Sequence, residues 1–201
     1  MRITDTTQYS GSPSLVWTGT EYGIAWMEGP YNGWNIYFAS FDSAGAKQGE
    51  DVPITDASGS AKGPSLAWSG TGYGLAWSEG SYQQHEIYFT RVSASGAAQG
   101  DPTRITKNTW DSRVPSLAWT GTEYGMTWED GRGVYTYRDV YFARVNDSAI
   151  KQGENMRITT QEDSWVPCLA WSGTEYGVVW RDTRSGIQLN FALLDSVGTK
   201  Q

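Results

Sequence analysis

Carboxylates are the chemically active groups that recur at a fixed place in this sequence of 201 residues. An acid stands two residues after a recurrent tryptophan in four places: Glu28, Glu79, Asp130 and Asp182. Four carboxylates held close together repel one another unless a cation or an arginine neutralises them. The pattern therefore predicts a candidate acidic ring, although the favoured interpretation is that each acid is bonded within its own loop.

The other groups suited to catalysis are isolated in the sequence. The only histidine, His85, lies in a variable loop, where a solvated surface residue or a binding contact is more common than a general base, since a base needs a positioned partner. Glu129 with Asp130, or Glu28 with Glu79, could act as a glycosidase pair. The Ser-x-Asp-x-Gly-x-Thr-Trp box of sialidases is absent. The sequence thus predicts no enzyme and no catalytic residue, and a glycoside hydrolase is the least favoured alternative.

A stretch that occurs four times must position these residues. It runs from a proline to a tryptophan over residues 13–26, 64–77, 115–128 and 167–180. Each copy contains two extended runs around a turn such as Thr18-Gly-Thr-Glu21, in which glycine supplies the positive φ of a tight hairpin. A third run, such as residues 36–41, and a short fourth run, such as residues 53–55, follow in the first copy.

Four short strands in a unit of about 50 residues are typical of a propeller blade. The sequence predicts an all-β, four-bladed β-propeller with four antiparallel strands per blade, in one domain over residues 1–201. The predicted blades are 13–55, 64–106, 115–159 and 167–201 plus 1–4. Met1-Arg-Ile-Thr4 matches Met156-Arg-Ile-Thr159, so the N-terminal strand is predicted to complete the last blade and close the ring. The alternative is that the ends pair between molecules, for instance in a larger ring of two chains.

The motifs Pro-x-Leu-Ala-Trp, Tyr-Gly-x-x-Trp and Ile-Tyr-Phe resemble bacterial β-propeller repeats of secreted and surface proteins. Four of them in a ring are similar to the four-bladed hemopexin-like fold, although Ser-Leu or Cys-Leu replaces the Asp-Ala that often opens the inner strand there. The resemblance implies calcium, or sodium, in the axial channel. Backbone groups at the start of the inner strands would hold the ion: Ser14, Ser65, Ser116 and Cys168.

Cys168 is the only cysteine, so it cannot form a disulfide within the chain. It stands where the other copies have serine. We interpret it as a small buried residue rather than a nucleophile.

Aromatic residues outside the repeat predict a ligand-binding face. They fall in the loop between the second and third strands or in the crossing between blades, and both kinds of loop emerge at one end of the ring. The candidate ligand-binding residues are Trp34, Trp110, Trp165, Tyr31, Tyr82, Tyr135, Tyr137 and Arg113. The predicted function is a non-enzymatic binding module for a protein or carbohydrate. A structural or assembly repeat of a larger surface protein is the alternative.

Charge and hydropathy restrict the partners. A net charge of −7 without a basic cluster argues against nucleic acid, and no apolar run approaches the roughly 18 residues of a membrane span. No signal-peptide core follows Met1, so a secreted or cell-surface location requires a targeting segment that this chain does not contain, and a cytoplasmic location stays open. A monomer is favoured, and a homodimer is the alternative.

Overall fold

The computed structural model describes residues 2–31, 33–56, 59–81, 83–131, 137–160, 163–184 and 186–201. These residues form 15 strands and no helix, in four antiparallel sheets. Strands that are consecutive in sequence are also neighbours within each sheet. Within the same ranges, no helix long and apolar enough to cross a membrane is found.

The strand bounds repeat from sheet to sheet. The first sheet contains β1 (Tyr9–Trp17), β2 (Glu21–Gly29), β3 (Asn35–Asp42) and β4 (Lys47–Pro53). The second contains β5 (Ser60–Trp68), β6 (Gly72–Ser81), β7 (Gln84–Ser93) and β8 (Ala98–Arg104). The third contains β9 (Ser112–Trp119), β10 (Glu123–Asp130), β11 (Asp139–Asn146) and β12 (Lys151–Arg157). The fourth contains β13 (Ser164–Trp171), β14 (Tyr176–Asp182) and β15 (Gln188–Leu194).

Each hairpin turn is fixed by its first hydroxyl. Thr18 Oγ1 donates to the Glu21 carbonyl at 3.1 Å and accepts from the Glu21 amide at 3.0 Å. Gly19 has a φ of 105°, a region that glycine adopts without steric cost. The side chain and the glycine together make a tight connection between β1 and β2.

The core lies between sheets rather than within one. A tyrosine of one sheet packs on a phenylalanine of the sheet before it: Tyr73 on Phe38 at 4.9 Å between ring centroids, Tyr124 on Phe89 at 5.1 Å, and Tyr176 on Phe142 at 5.0 Å. The same ring covers a glycine, because a Cβ on Gly23 would lie only 2.4 Å from Tyr73. Each sheet therefore needs a neighbour to bury its faces.

The first strand of each sheet begins before the repeated proline. In the first sheet the predicted start was Pro13, but β1 pairs with β2 from Tyr9 onward and the register shifts between Gly11 and Ser14. The bulge places a residue with positive φ just before the proline in every copy: Ser12, Gly63, Val114 and Val166. The extra residue of a bulge hides the alternation that would otherwise predict the strand.

The predicted closure of the ring by an N-terminal strand is not confirmed. Residues 2–4 have no strand structure, and the fourth sheet has three strands where the others have four. The fourth position beside β15 holds only a bridge between Leu194 and Lys200. Met1 lies outside the described residues.

Candidate functional site

A polar cavity of about 200 Å³ lies where loops of the second, third and fourth sheets meet. Its walls contain Gln83, Trp110, Asp111, Arg113, Gly131, Tyr137, Arg138 and Trp165. The residues from three sheets converge here because the crossings between sheets and the turns after the second strands emerge at the same end of the fold. Aromatic rings and charged groups thus face one space.

Asp111 is the centre of the charged groups. It is 6% exposed and accepts hydrogen bonds from the His85 amide at 3.1 Å and from Arg138 Nη2 at 2.9 Å. His85 Nδ1 lies 2.7 Å and Arg113 Nε 2.5 Å from its carboxylate oxygens. Burial opposes ionisation, but the hydrogen bonds from His85 and Arg138 and the charge of Arg113 hold the pKa of Asp111 well below its usual range. Asp111 is therefore ionised at neutral pH.

Glu129 is the second carboxylate of this cluster. It is 3% exposed, it accepts a hydrogen bond from the Val166 amide at 3.0 Å, and Arg138 Nη1 lies 3.6 Å from it. Burial raises the pKa of Glu129, against the opposing effects of that hydrogen bond and of Arg138. Glu129 and Asp111 share Arg138 while their pKa values move in opposite directions. Such a divergence lets one carboxyl hold a proton while the other stays ionised.

His85 is buried, so of the two interpretations given to it, that of a solvated surface residue is wrong. It is 2% exposed, and its Nε2 lies 3.3 Å from Lys62 Nζ. An ammonium group can only donate, so Nε2 accepts and Nδ1–H donates to Asp111. Burial, together with the charge of Arg113, lowers the pKa of Lys62.

Two aromatic groups flank the cluster. The Arg138 guanidinium lies 4.9 Å from the ring centroid of Trp165, whose Nε1 donates to Asp163 at 2.7 Å. On the other side, Lys62 Nζ lies 4.7 Å from the ring centroid of Trp34. Cation–π contacts of this kind fix both rings beside charged groups.

Solved structures provide the comparison, since no family model and no curated protein matches the sequence. A subtype N10 neuraminidase-like protein of A/little yellow-shouldered bat/Guatemala/060/2010 matches with a TM-score of 0.70 and 9% identity, over 96% of this chain and 58% of that one. The GH43 endo-arabinanase from Bacillus licheniformis matches with a TM-score of 0.59 and 15% identity, over 96% of this chain and 76% of that one. A GH43 β-1,3-galactosidase matches with a TM-score of 0.63 and 10% identity, over 96% and 75%.

The chain has the β-propeller fold. At these identities the likeness shows the fold alone, and the chain spans less than two thirds of the length of the neuraminidase-like protein. Each of the four sheets is one blade of the propeller, and the blades are numbered in chain order.

The comparison corrects two predictions. The propeller is confirmed, but no family model supports hemopexin-like repeats, and the similar propellers are glycoside hydrolases and neuraminidase-like proteins. The prediction of a non-enzymatic binding module is contradicted, because propellers that match this chain over nearly its whole length include arabinanases and a galactosidase.

The predicted ligand-binding residues fall into two groups. Trp110, Trp165, Tyr137 and Arg113 come together at the cavity. Trp34 and Tyr31 contact each other in the first blade, with ring centroids 5.6 Å apart. Tyr82 and Tyr135 lie outside the described residues.

The four acids of the candidate ring are bonded within their own blades. A tryptophan Nε1 donates to Glu28 at 3.1 Å, to Glu79 at 2.8 Å and to Asp130 at 3.1 Å. Asp182 accepts from the Arg184 amide at 2.9 Å. This bonding agrees with the favoured interpretation, in which each acid is bonded within its own loop.

The residues of the predicted axial site link neighbouring blades. Backbone amides of the next blade donate to Ser14, Ser65 and Ser116, each at 3.0 Å: those of Leu66, Leu117 and Leu169. Cys168 is exposed, so its interpretation as a buried residue is wrong. Among the described residues no group of three or more His, Cys, Asp or Glu could hold a metal. The axial calcium or sodium ion, which would use backbone groups instead, stays a prediction.

Sequence reasoning missed Asp111 and Glu129 as a pair. A comparison of the copies contains the signal for Glu129, because the equivalent residues in the other blades are Met27, Ser78 and Arg181. Glu129 directly follows a buried tryptophan and occurs in one blade only, whereas the acid one residue later occurs in all four blades. A residue that departs from the repeat in this way is a candidate for a site. Of the partners of Asp111, His85 comes from the second blade and Arg138 from a distant loop of the third, and no spacing in the sequence shows either contact.

Proposed function

We propose that the protein is a glycoside hydrolase whose active site is the cavity beside Asp111 and Glu129. The observation that carries this proposal is the pair of buried carboxylates on Arg138 with opposite pKa shifts. Glycoside hydrolysis needs one protonated and one ionised carboxyl group. Several of the similar propellers are named as arabinanases or as a galactosidase, which supports a glycoside as the substrate.

The two carboxylates, the two tryptophans, Arg113 and Tyr137 each have a role in this proposal. Glu129 donates its proton to the leaving glycosidic oxygen, and Asp111 accepts a proton from the water that attacks the anomeric carbon. Hydrolysis breaks the bond between that carbon and the leaving oxygen and forms a bond to the water oxygen. Trp110 and Trp165 give flat apolar surfaces for a sugar ring, and the partly exposed Arg113 and Tyr137 bind its hydroxyl groups.

Hydrolysis of aryl glycosides tests the proposal. Aryl α-L-arabinofuranosides, β-D-galactosides and α-sialosides cover the sugars that the names of the similar proteins suggest. We expect the wild-type protein to release the aryl group from at least one of them. Glu129→Gln should lower kcat by about 10²- to 10⁴-fold, because the amide cannot donate the proton.

The matched control is Glu123→Gln. Glu123 lies on the same strand β10 but pairs with Arg144 at 3.0 Å, on the opposite end of the sheet. This variant should hydrolyse the substrate at the wild-type rate. Absence of product with every substrate, or equal rates for Glu129→Gln and wild type, would contradict the proposal.

A further inference from the structure

Among the residues that the structure describes, no blade covers one apolar face of the first blade and one of the fourth. On the first blade, Leu15 is 61% and Tyr22 36% exposed. On the fourth blade, Leu189 is 77% and Phe191 65% exposed. The residues at the corresponding positions of the inner interfaces are all buried: Leu66, Leu117, Leu169, Tyr73, Tyr124, Tyr176, Ile36, Ile87, Val140, Phe38, Phe89 and Phe142.

The two free faces are the two halves of the interface that the chain already forms three times. The first-blade face consists of Leu15 and Tyr22, and it corresponds to the half that supplies the tyrosine. The fourth-blade face consists of Gly177, Leu189 and Phe191, and it corresponds to the half that receives the tyrosine. A Cβ on Gly74 or Gly125 would lie within 2.4 Å of the next blade's tyrosine, whereas the atom nearest to such a Cβ on Gly177 is 3.2 Å away and belongs to Phe191. The receiving space at Gly177 is therefore open.

We propose that the first-blade face of one chain packs on the fourth-blade face of a second copy, in a closed head-to-tail dimer. Tyr22 takes the place over Gly177 and Phe191 that Tyr73 takes over Gly23 and Phe38. Such a heterologous contact gives a closed dimer when the first-blade face of the second copy also packs on the fourth-blade face of the first copy. Two buried interfaces then replace four exposed faces.

Polar groups at the two faces match in the same way. Tyr73 donates to Glu21 of the preceding blade at 3.2 Å, and the fourth blade carries Glu175 at the position of Glu21. Leu66 N donates to Ser14, and the fourth blade carries the exposed Cys168 at that position, ready to accept from Leu15 N of the second copy. The Tyr22 hydroxyl and the Leu15 amide thus meet the same kinds of acceptor as their equivalents inside the chain, except that a sulfur replaces the serine oxygen.

The N-terminal segment is placed to cross the same interface. Ile158 closes the third blade by donating its amide to the Val140 carbonyl at 2.8 Å, and it belongs to the same buried cluster as Val178 and Trp180 of the next blade. Ile3 lines one cavity together with the equivalent residues of the first blade, Ile24 and Trp26. Arg2-Ile3-Thr4 therefore occupies, beside the first blade, the place of a fourth strand that belongs to the preceding blade. In the dimer this segment completes the second copy's fourth blade.

Sedimentation equilibrium of the full chain tests the proposal. The wild-type mass should rise to that of two chains at micromolar concentration. Leu15→Lys and Phe191→Lys should each remain monomeric, because each variant buries a charge in both interfaces. An equimolar mixture of the two variants should regain dimers, since one interface then contains two unmodified faces.

Ile150→Lys is the matched control, since Ile150 is 59% exposed but lies on neither face. This variant should dimerise like the wild type, and all variants should keep the wild-type circular dichroism spectrum. Alkylation of Cys168 should be slower in the wild type than in Leu15→Lys. A wild-type chain that stays monomeric, as it would if further blades of a longer polypeptide cover these faces, overturns the proposal. A dimer that survives both face variants, or a mass above two chains, overturns it as well.

Discussion

Phe89→Ala is expected to lower the free energy of unfolding by about 4 kcal/mol, because it empties the interface between the second and third blades. The Phe89 side chain is fully buried, and its ring lies 5.1 Å from that of Tyr124. Loss of the ring removes apolar area from the core and leaves Tyr124 beside a cavity. Chemical denaturation followed by tryptophan fluorescence measures the change.

Phe191→Ala is the matched control, since Phe191 occupies the same position in the fourth blade but is 65% exposed. In dilute solution, where the chain is monomeric, this variant should lose less than about 1 kcal/mol. Equal losses at the two positions would show that the fourth blade is covered within a single chain. The ring would then be closed as the sequence predicts, and the inference that the fourth-blade face is open would be wrong.

Asp111→Asn is expected to lower the free energy of unfolding by about 3 kcal/mol at neutral pH, because it removes the buried carboxylate that pairs with Arg138 and Arg113. The Asp111 and Arg138 side chains are 8% and 11% exposed, and His85 donates to the same carboxylate. The difference between wild type and variant should depend on pH. The pKa of Asp111 is lowered in the folded protein, so its stabilisation is complete above the ordinary value of 3.8 and is lost as pH falls through the folded pKa.

Asp5→Asn provides the control for this experiment. Asp5 lies 3.8 Å from Arg2 in a fully solvated pair, which contributes little to stability. Its unfolding curve should superimpose on that of the wild type at neutral pH. If the unfolding curve of Asp111→Asn also superimposes on that of the wild type, the charged cluster does not hold the loops of the cavity together.

The repeat predicted most of the strands because each copy carries its own local signals. The Thr-Gly-Thr-Glu turn needs only four residues to form, and a tyrosine and a tryptophan four residues apart recur on one face of β2, β6, β10 and β14. Local hydrogen bonds and the order of residue types can be read from one segment. The β-propeller fold followed from these signals.

Closure of the ring could not be predicted in the same way. Arg2-Ile-Thr4 matches the fourth-strand motif, but a sequence match does not determine which sheet edge the segment contacts. The segment lies beside the first blade, where Ile3 and Trp26 line the same cavity. The position depends on the curvature of all four blades, which is a property of their packing.

The candidate site was only partly predictable for a related reason. Trp110, Trp165, Tyr137 and Arg113 were found because they depart from the repeat. His85 and Asp111 were missed as partners, since they come from different blades and meet only after the blades have packed. Burial, which moves the pKa values of Asp111 and Glu129 apart, is likewise a result of packing.

The pH dependence of aryl-glycoside hydrolysis tests the proposed function most directly. Burial raises the pKa of Glu129, so a protonated Glu129 should persist above the ordinary glutamate value of 4.5, and kcat should fall at higher pH as that proton is lost. Glu123→Gln should show the same descending limb, and in Glu129→Gln both the activity and the limb should be lost. No hydrolysis at any pH, or a profile that Glu129→Gln leaves unchanged, would contradict a glycoside hydrolase that uses Glu129 as its acid.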